Sequence, residues 1–152
     1  MSKLPQIGTS IFTVMSKMAT EYNAINLSQG FPNFAIDQRL SDIVSRLSKE
    51  NVHQYLPMSG FHPLLNKIAT LVYNSYGRTI QAESEILVTA GATQAIFTTI
   101  TALVNSGDEV ILLDPSYDCY EAPILLCNAK PIRVALNDDY TPNWEQIEKA
   151  FS

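Results

Sequence analysis

The sequence predicts an α/β fold: a parallel or mixed sheet covered by helices from about residue 85 onward, preceded by a helical N-terminal portion. Three observations carry that reading. Glu109-Val110-Ile111-Leu112-Leu113 is nearly all apolar, and a continuous apolar run suits a strand buried on both faces, not one with a wet side. Short runs of this kind alternate with helix-period segments, the pattern of strand–helix–strand units. Turn residues, among them Gly91, Asn105-Ser106-Gly107-Asp108 and Pro115, fall between the runs.

Taken in order, the first helix places Ile11, Met15 and Met18 on one face, and a short strand is expected over residues 24–27. Gln29-Gly30-Phe31-Pro32-Asn33 is irregular. Asp37 starts the next helix, in which Ile36, Leu40, Ile43/Val44 and Leu47 recur at helical spacing. A break at Leu56-Pro57-Met58-Ser59-Gly60 precedes a stronger helix, lined by Phe61, Leu64/Leu65, Ile68 and Val72. It closes near Gly77, because glycine tolerates the left-handed conformation that ends many helices.

The alternating part follows. A β-branched strand is expected over 85–89, then a turn at Gly91 and a helix over 92–104 with Ile96, Ile100 and Leu103 inward. A second strand covers 109–113, a helix 117–126 and a third strand 131–136. Pro142, Trp144, Ile147 and Phe151 mark a final helix. About three strands are fewer than a doubly wound sheet usually carries, and the pattern stops directly after a strand–loop–helix unit. The sequence therefore reads as part of a domain.

Composition narrows the function classes. The 152 residues are 46% hydrophobic and carry no long charge block, so disorder is not expected, and a chain of this size buries roughly 70% of its unfolded surface. Ten Lys+Arg face fifteen Asp+Glu, a net charge of −5, which argues against a dedicated nucleic-acid binder. No apolar run approaches the ~18 residues of a membrane helix, and the N-terminus lacks the apolar stretch of a secretory signal. Cys119 and Cys127 make no disulfide framework, so a reducing, cytoplasmic compartment is expected.

Two strand ends attract chemistry, because ligands of open α/β sheets sit beyond the carboxyl ends of the strands. At Val88-Thr89-Ala90-Gly91-Ala92-Thr93 a strand turns through small residues into a helix. Unsatisfied N–H groups at the positive end of a helix favour an anion such as phosphate, and the Thr93 hydroxyl adds a donor. By itself the segment reads first as a tight turn that binds nothing, since such turns are common. It is neither a G-x-G-x-x-G nor a Walker A sequence. The second end is Leu113-Asp114-Pro115-Ser116-Tyr117-Asp118-Cys119-Tyr120, where Tyr117 can stack on a planar ring or simply pack at a helix start. His53 and His62 lack zinc spacing, and no metal site is expected. Both cysteines read as packed thiols, and Asp138-Asp139 as a solvated turn.

Together these segments are far more specific than any one of them. Asn26-Leu27-Ser28-Gln29-Gly30-Phe31-Pro32-Asn33-Phe34, then Gln54-Tyr55 with Gly60, then Thr89-Ala90-Gly91-Ala92-Thr93-Gln94-Ala95, then Gly107-Asp108-Glu109-Val110 and Asp114-Pro115-Ser116-Tyr117-Asp118-Cys119-Tyr120 resemble the fold-type I pyridoxal-phosphate aminotransferases. Among them the likeness is greatest to the bacterial methionine aminotransferases, with the kynurenine/glutamine aminotransferases as close relatives. It runs from about Leu4 to Ser152 and covers only the N-terminal portion of a member.

The resemblance implies a division into an N-terminal arm and small-domain segment, residues 1–36, and an incomplete large domain, residues 37–152. It implies pyridoxal 5′-phosphate as cofactor, with the Gly91-Ala92-Thr93 turn holding its phosphate and Tyr117 stacked on its pyridine ring. It further implies that Tyr55 reaches the phosphate of the neighbouring subunit in a homodimer, that Gly30 contacts the substrate carboxylate through its backbone, and that Phe12 lies at the substrate pocket. Apolar Phe12 and Phe31 suit an uncharged thioether or aromatic substrate better than an acidic one. The expected reaction is ping-pong transfer of an amino group from methionine, or another large uncharged amino acid, to a 2-oxo acid.

Kynurenine aminotransferase or cysteine-conjugate β-lyase activity uses the same residues, and a truncated, non-catalytic interaction fragment is the other alternative. The family's cofactor-carrying lysine, the Asp facing the ring nitrogen, the Asn-Pro-x-Asn-Pro segment and the carboxylate-binding Arg match nothing in this sequence. None of its six lysines fits the lysine motif. This stretch alone is therefore expected to be inactive.

Overall fold

A computed structural model describes residues 3–5 and 7–152. Its elements are α1 (Ile11–Glu21), α2 (Gln38–Leu47), α3 (His62–Tyr76), α4 (Ala92–Leu103), β1 (Glu109–Asp114), α5 (Glu121–Leu126), β2 (Lys130–Ala135) and α6 (Trp144–Lys149). Contacts divide the chain into two compact units, residues 29–89 and residues 1–28 with 90–152.

In the 29–89 unit, α2 starts where Asp37 predicts it. The Asp37 carboxylate accepts the Arg39 N–H at 2.8 Å, and the Arg39 guanidinium folds back onto the same carboxylate at 3.0 and 2.8 Å. α3 carries Pro63 in its first turn, where no backbone donor is needed. It closes at Gly77, whose φ of 66° is left-handed, and Leu65 is buried on it. The strand expected over 85–89 is not formed. Val88 N–H donates to the Ser59 carbonyl at 3.0 Å, but the residues make no ladder, and a strand exists only as a paired element.

The other unit holds the sheet. Ser10 caps α1, accepting the Thr13 N–H at 3.4 Å. The strand expected over 24–27 is also absent. There the Asn26 side-chain Oδ1 accepts the Ser28 N–H at 3.0 Å and the Ser28 hydroxyl at 2.6 Å, while its side-chain Nδ2 donates to the Ser16 hydroxyl at 3.1 Å. That side-chain turn competes directly with extended pairing.

β1 and β2 pair in parallel from Glu109 opposite Lys130 to Asp114 opposite Ala135, as the α/β reading expects. The sheet has two strands among the described residues, not about three, because 85–89 contributes none. Parallel strands need a long crossover, supplied by residues 115–129 with α5. Ile124 on α5 is wholly buried against Leu112 and Ala129, with Ile100, Val104, Val110, Tyr120 and Cys127 around them.

α5 is shorter than the expected 117–126 helix, and Pro123 explains why. A helix begun at 117 would place that proline in its interior, without a donor and against the preceding turn. Begun at Glu121, the proline sits in the first turn, where the missing N–H costs nothing. Asn143 caps α6 by accepting the Gln146 N–H at 3.0 Å. No helix of the described residues is long and apolar enough to cross a membrane.

Candidate functional site

The N-terminus of α4 is built to present donors. Gly91 is its N-cap, with φ 93° and ψ 162°, and it brings no capping side chain. The intrahelical ladder starts only at Ala95, whose N–H donates to the Gly91 carbonyl at 3.3 Å, so the first-turn N–H groups of Ala92 and Thr93 have no acceptor within the helix. Three residues after the cap, the Gln94 side chain reaches back and accepts the Ala90 N–H at 2.6 Å. The bond differs from a capping box in going to the residue before the cap and not to the cap's own N–H. It fixes the turn from outside and leaves its mouth open; no atom lies within 4 Å of the place a Gly91 Cβ would take.

The carboxyl end of β1 delivers Tyr117 to the same mouth. The strand stops at Asp114, and residues 118–120 turn into α5. That turn sets the Cys119 sulfur 3.8 Å from the Thr93 hydroxyl. Phe12 of α1 lies against the ring of Tyr117 with centroids 6.4 Å apart, tilted by 52°, and Tyr120 meets it edge-on at 5.9 Å and 85°. The aromatic ring is thus held on two sides by other rings.

Hydrogen bonding to Cys119 holds the Tyr117 phenol above its ordinary pKa, Thr93 opposing it, and the charges of Cys119 and Asp118 and some desolvation add to the rise. Tyr117 therefore stays a neutral hydroxyl at physiological pH. Beside it opens a cleft of about 520 Å³ lined by Thr9, Ser10, Tyr117, Asp118, Cys119 and Arg133. Arg133 of β2 pairs with Glu121 of α5 at 2.8 Å and with Asp114 at 3.8 Å, tying the crossover to both strands.

The structure brings together five of the residues singled out in the sequence: Ala92 and Thr93 beside Gly91 on one segment, and Tyr117 with Phe12 against it. Tyr55 and Gly30 belong to the other unit. Tyr55 is fully exposed there, in an irregular segment, and Gly30 is exposed in another. Two contributors were not expected from the sequence, Cys119 and Gln94. A glutamine three residues past a helix-starting glycine was a readable signal. Nothing local marks Cys119, whose partner is 26 residues away. Among the described residues no group of three or more His, Cys, Asp or Glu is arranged to hold a metal ion.

These residues fit a phosphorylated aromatic cofactor. An uncapped helix start with an open glycine suits the phosphate, and a ring held beside it suits a planar heterocycle.

Comparison with known proteins gives four findings. Residues 22–152 match the family described as aminotransferase class I and II. The chain is 44% identical over 152 residues to the methionine aminotransferase of Escherichia coli strain K12, covering 99% of this chain and 39% of that protein. It is 39% identical over 134 residues to a kynurenine–oxoglutarate transaminase of Dictyostelium discoideum, covering 87% of this chain and 31% of that one. The crystal structure of an Escherichia coli protein with a methionine aminotransferase function superposes with a TM-score of 0.92 at 44% identity, over all of this chain and 40% of that one. The chain thus spans about two-fifths of the length of the first relative and of that structure.

Proposed function

The chain belongs to the class I and II aminotransferases, and from that premise we propose that it is the N-terminal part of an enzyme moving the amino group of methionine, or of another large uncharged or aromatic amino acid, to a 2-oxo acid, with pyridoxal 5′-phosphate as cofactor. The observation that carries the proposal is the meeting of the uncapped α4 terminus with the Tyr117 ring, joined through the 3.8 Å contact between Thr93 and Cys119.

In this reading the N–H groups of Ala92 and Thr93, with the Thr93 hydroxyl, hold the phosphate at the positive end of the helix. The open turn at Gly91 lets it approach the backbone. Tyr117 lays its ring against the pyridine and keeps its own proton, so it donates and does not withdraw one. When bound, the cofactor supplies the electron sink and carries the amino group between donor and acceptor. Phe12, packed on Tyr117, gives the substrate an apolar wall, which favours an uncharged side chain.

By resemblance, the Gly30 backbone contacts the substrate carboxylate and Tyr55 reaches the phosphate in a neighbouring subunit. The full exposure of Tyr55 supports a residue used by a second copy. A homodimer, a cytoplasmic location and a division into residues 1–36 and a large domain from residue 37 belong to the same proposal. The cofactor-carrying lysine matches none of the six present, so the 152-residue stretch alone is inactive.

The kynurenine–oxoglutarate transaminase relative supports kynurenine as a second donor, with β-lyase activity on cysteine conjugates as a side reaction. The test supplies the native protein with pyridoxal 5′-phosphate, a 2-oxo acid and either methionine or kynurenine, and follows the new 2-oxo acid. Turnover fastest with methionine is expected. Turnover with kynurenine alone moves the assignment to that donor, and none with any amino acid overturns it in favour of a non-catalytic chain.

A further inference from the structure

The glycine that opens the mouth of the α4 turn also loosens it. Gly91 stands at φ 93° and ψ 162° with no side chain capping the helix it starts, and no atom lies within 4 Å of the place its Cβ would take. A glycine reaches many backbone conformations, and the Ala92 and Thr93 N–H groups turn with whichever one it adopts. The first helical rung beyond it, from the Ala95 N–H to the Gly91 carbonyl, is long at 3.3 Å. The Gln94 side chain crosses this hinge, its Oε1 accepting the Ala90 N–H at 2.6 Å. The ring so closed encloses Gly91, Ala92 and Thr93, the three residues assigned to the phosphate.

We propose that Gln94 is a positioning residue, which holds the turn around Gly91, Ala92 and Thr93 in the conformation that receives the cofactor phosphate. Its role rests on the proposed cofactor site being the one the chain uses. The bond is exposed, so water competes for both partners and it adds little to global stability. Its effect is local: a turn that holds its competent conformation for only a fraction of the time binds more weakly by that fraction. The loss falls on the phosphate and spares the aromatic ring, which Tyr117 meets from the end of β1. An ordinary surface glutamine would weaken neither, and one needed only for folding would weaken both.

The test uses the native protein and two probes, pyridoxal 5′-phosphate and pyridoxal, which keeps the ring and aldehyde but has a hydroxyl in place of the phosphate. Equilibrium dialysis gives the dissociation constant of each. Gln94→Met, which keeps the length of the side chain without its acceptor, is expected to weaken pyridoxal 5′-phosphate about fivefold, the scale of one hydrogen bond. Pyridoxal affinity should stay within about twofold of wild type, and the apoprotein melting temperature should hold, because the turn opens locally. Hydrogen exchange at the Ala90 amide should speed up in Gln94→Met and keep its wild-type rate in Gln94→Glu, whose carboxylate accepts the same N–H.

Should Gln94→Met fail to fold, Gln94→Asn, one methylene too short to reach Ala90, must show the same split between the probes. Equal losses for the two probes, no loss for either, or unchanged exchange at Ala90 in Gln94→Met overturns the role of Gln94 and leaves the cofactor site standing. A wild type that binds no pyridoxal 5′-phosphate, or binds pyridoxal as tightly, overturns the phosphate site itself and the role of Gln94 with it.

Discussion

Replacing Gly91 by alanine separates backbone conformation from contact more cleanly than any other change at this site. At φ 93° and ψ 162° the residue occupies a region that side-chain-bearing residues almost never adopt, and holding one there costs about 1–3 kcal/mol. Contact adds nothing, since no atom lies within 4 Å of the new methyl. The chain can escape the strain by rotating the turn. Rotation breaks the 2.6 Å bond from the Ala90 N–H to Gln94, worth about 1 kcal/mol, and re-aims the N–H groups of Ala92 and Thr93. Either way a loss on the order of 2 kcal/mol is expected, shared between stability and cofactor affinity.

If stability takes the whole loss, melting falls by roughly 5 °C. If the turn rotates, pyridoxal 5′-phosphate binding weakens at least about tenfold, because each ~1.4 kcal/mol is a factor of ten. Gly77 is the internal comparison. Its φ of 66° and ψ of 9° lie in the left-handed helical region, where alanine costs about 1–2 kcal/mol, and it should leave cofactor affinity unchanged. Melting curves and cofactor titrations of both variants of the native protein decide the matter. A Gly91→Ala protein equal to wild type in both, or a Gly77→Ala protein that loses more cofactor affinity, refutes the argument.

Two further outcomes follow from the packing and the charges. Ile124→Ala removes three carbons from a fully buried position, about 2.4 kcal/mol of transfer free energy at ~0.8 per carbon and a cavity contribution besides, so about 3–4 kcal/mol of stability should be lost; urea unfolding that shows less than about 1 kcal/mol would refute the place of Ile124 at the centre of that core. The Asp37 carboxyl is held below its ordinary pKa by the Arg39 guanidinium first and by the Arg39 N–H second, so the unfolded chain takes up the proton before the folded one does. Its contribution to the start of α2 is therefore complete above the ordinary aspartate range and lost as pH falls through the lower folded value; a carboxyl NMR titration in the native protein should have its midpoint below that of a model aspartate, and a midpoint at or above it contradicts the pairing.

Some helix ends are legible in the sequence because their causes are local. Asp37 and Gly77 set helix ends through bonds and dihedrals within a few residues, and α2 begins and α3 stops where those residues say. The apolar run of β1 was legible because burial on both faces leaves no polar position in it. By contrast, residues 24–27 and 85–89 have strand-like composition and are not strands. Asn26 diverts the first into a side-chain turn, and the second is not part of the two-stranded sheet. Pro123 carried a readable message about where α5 begins, outweighed in the sequence by the apolar spacing around it.

What the sequence determined by itself was the set of parts: an uncapped glycine turn opening α4, an apolar parallel strand ending at a proline, a tyrosine just beyond it, and a family likeness spread over all of them. Only the tertiary structure decided that Thr93 and Cys119, 26 residues apart, share one contact, that Phe12 closes on Tyr117 from the first helix, and which apolar runs become strands. The reason is the range of the forces. Caps, turns and helical periods are settled by neighbours along the chain, whereas strand pairing and the convergence of side chains require segments that meet only after the crossover has packed Ile124 into its core.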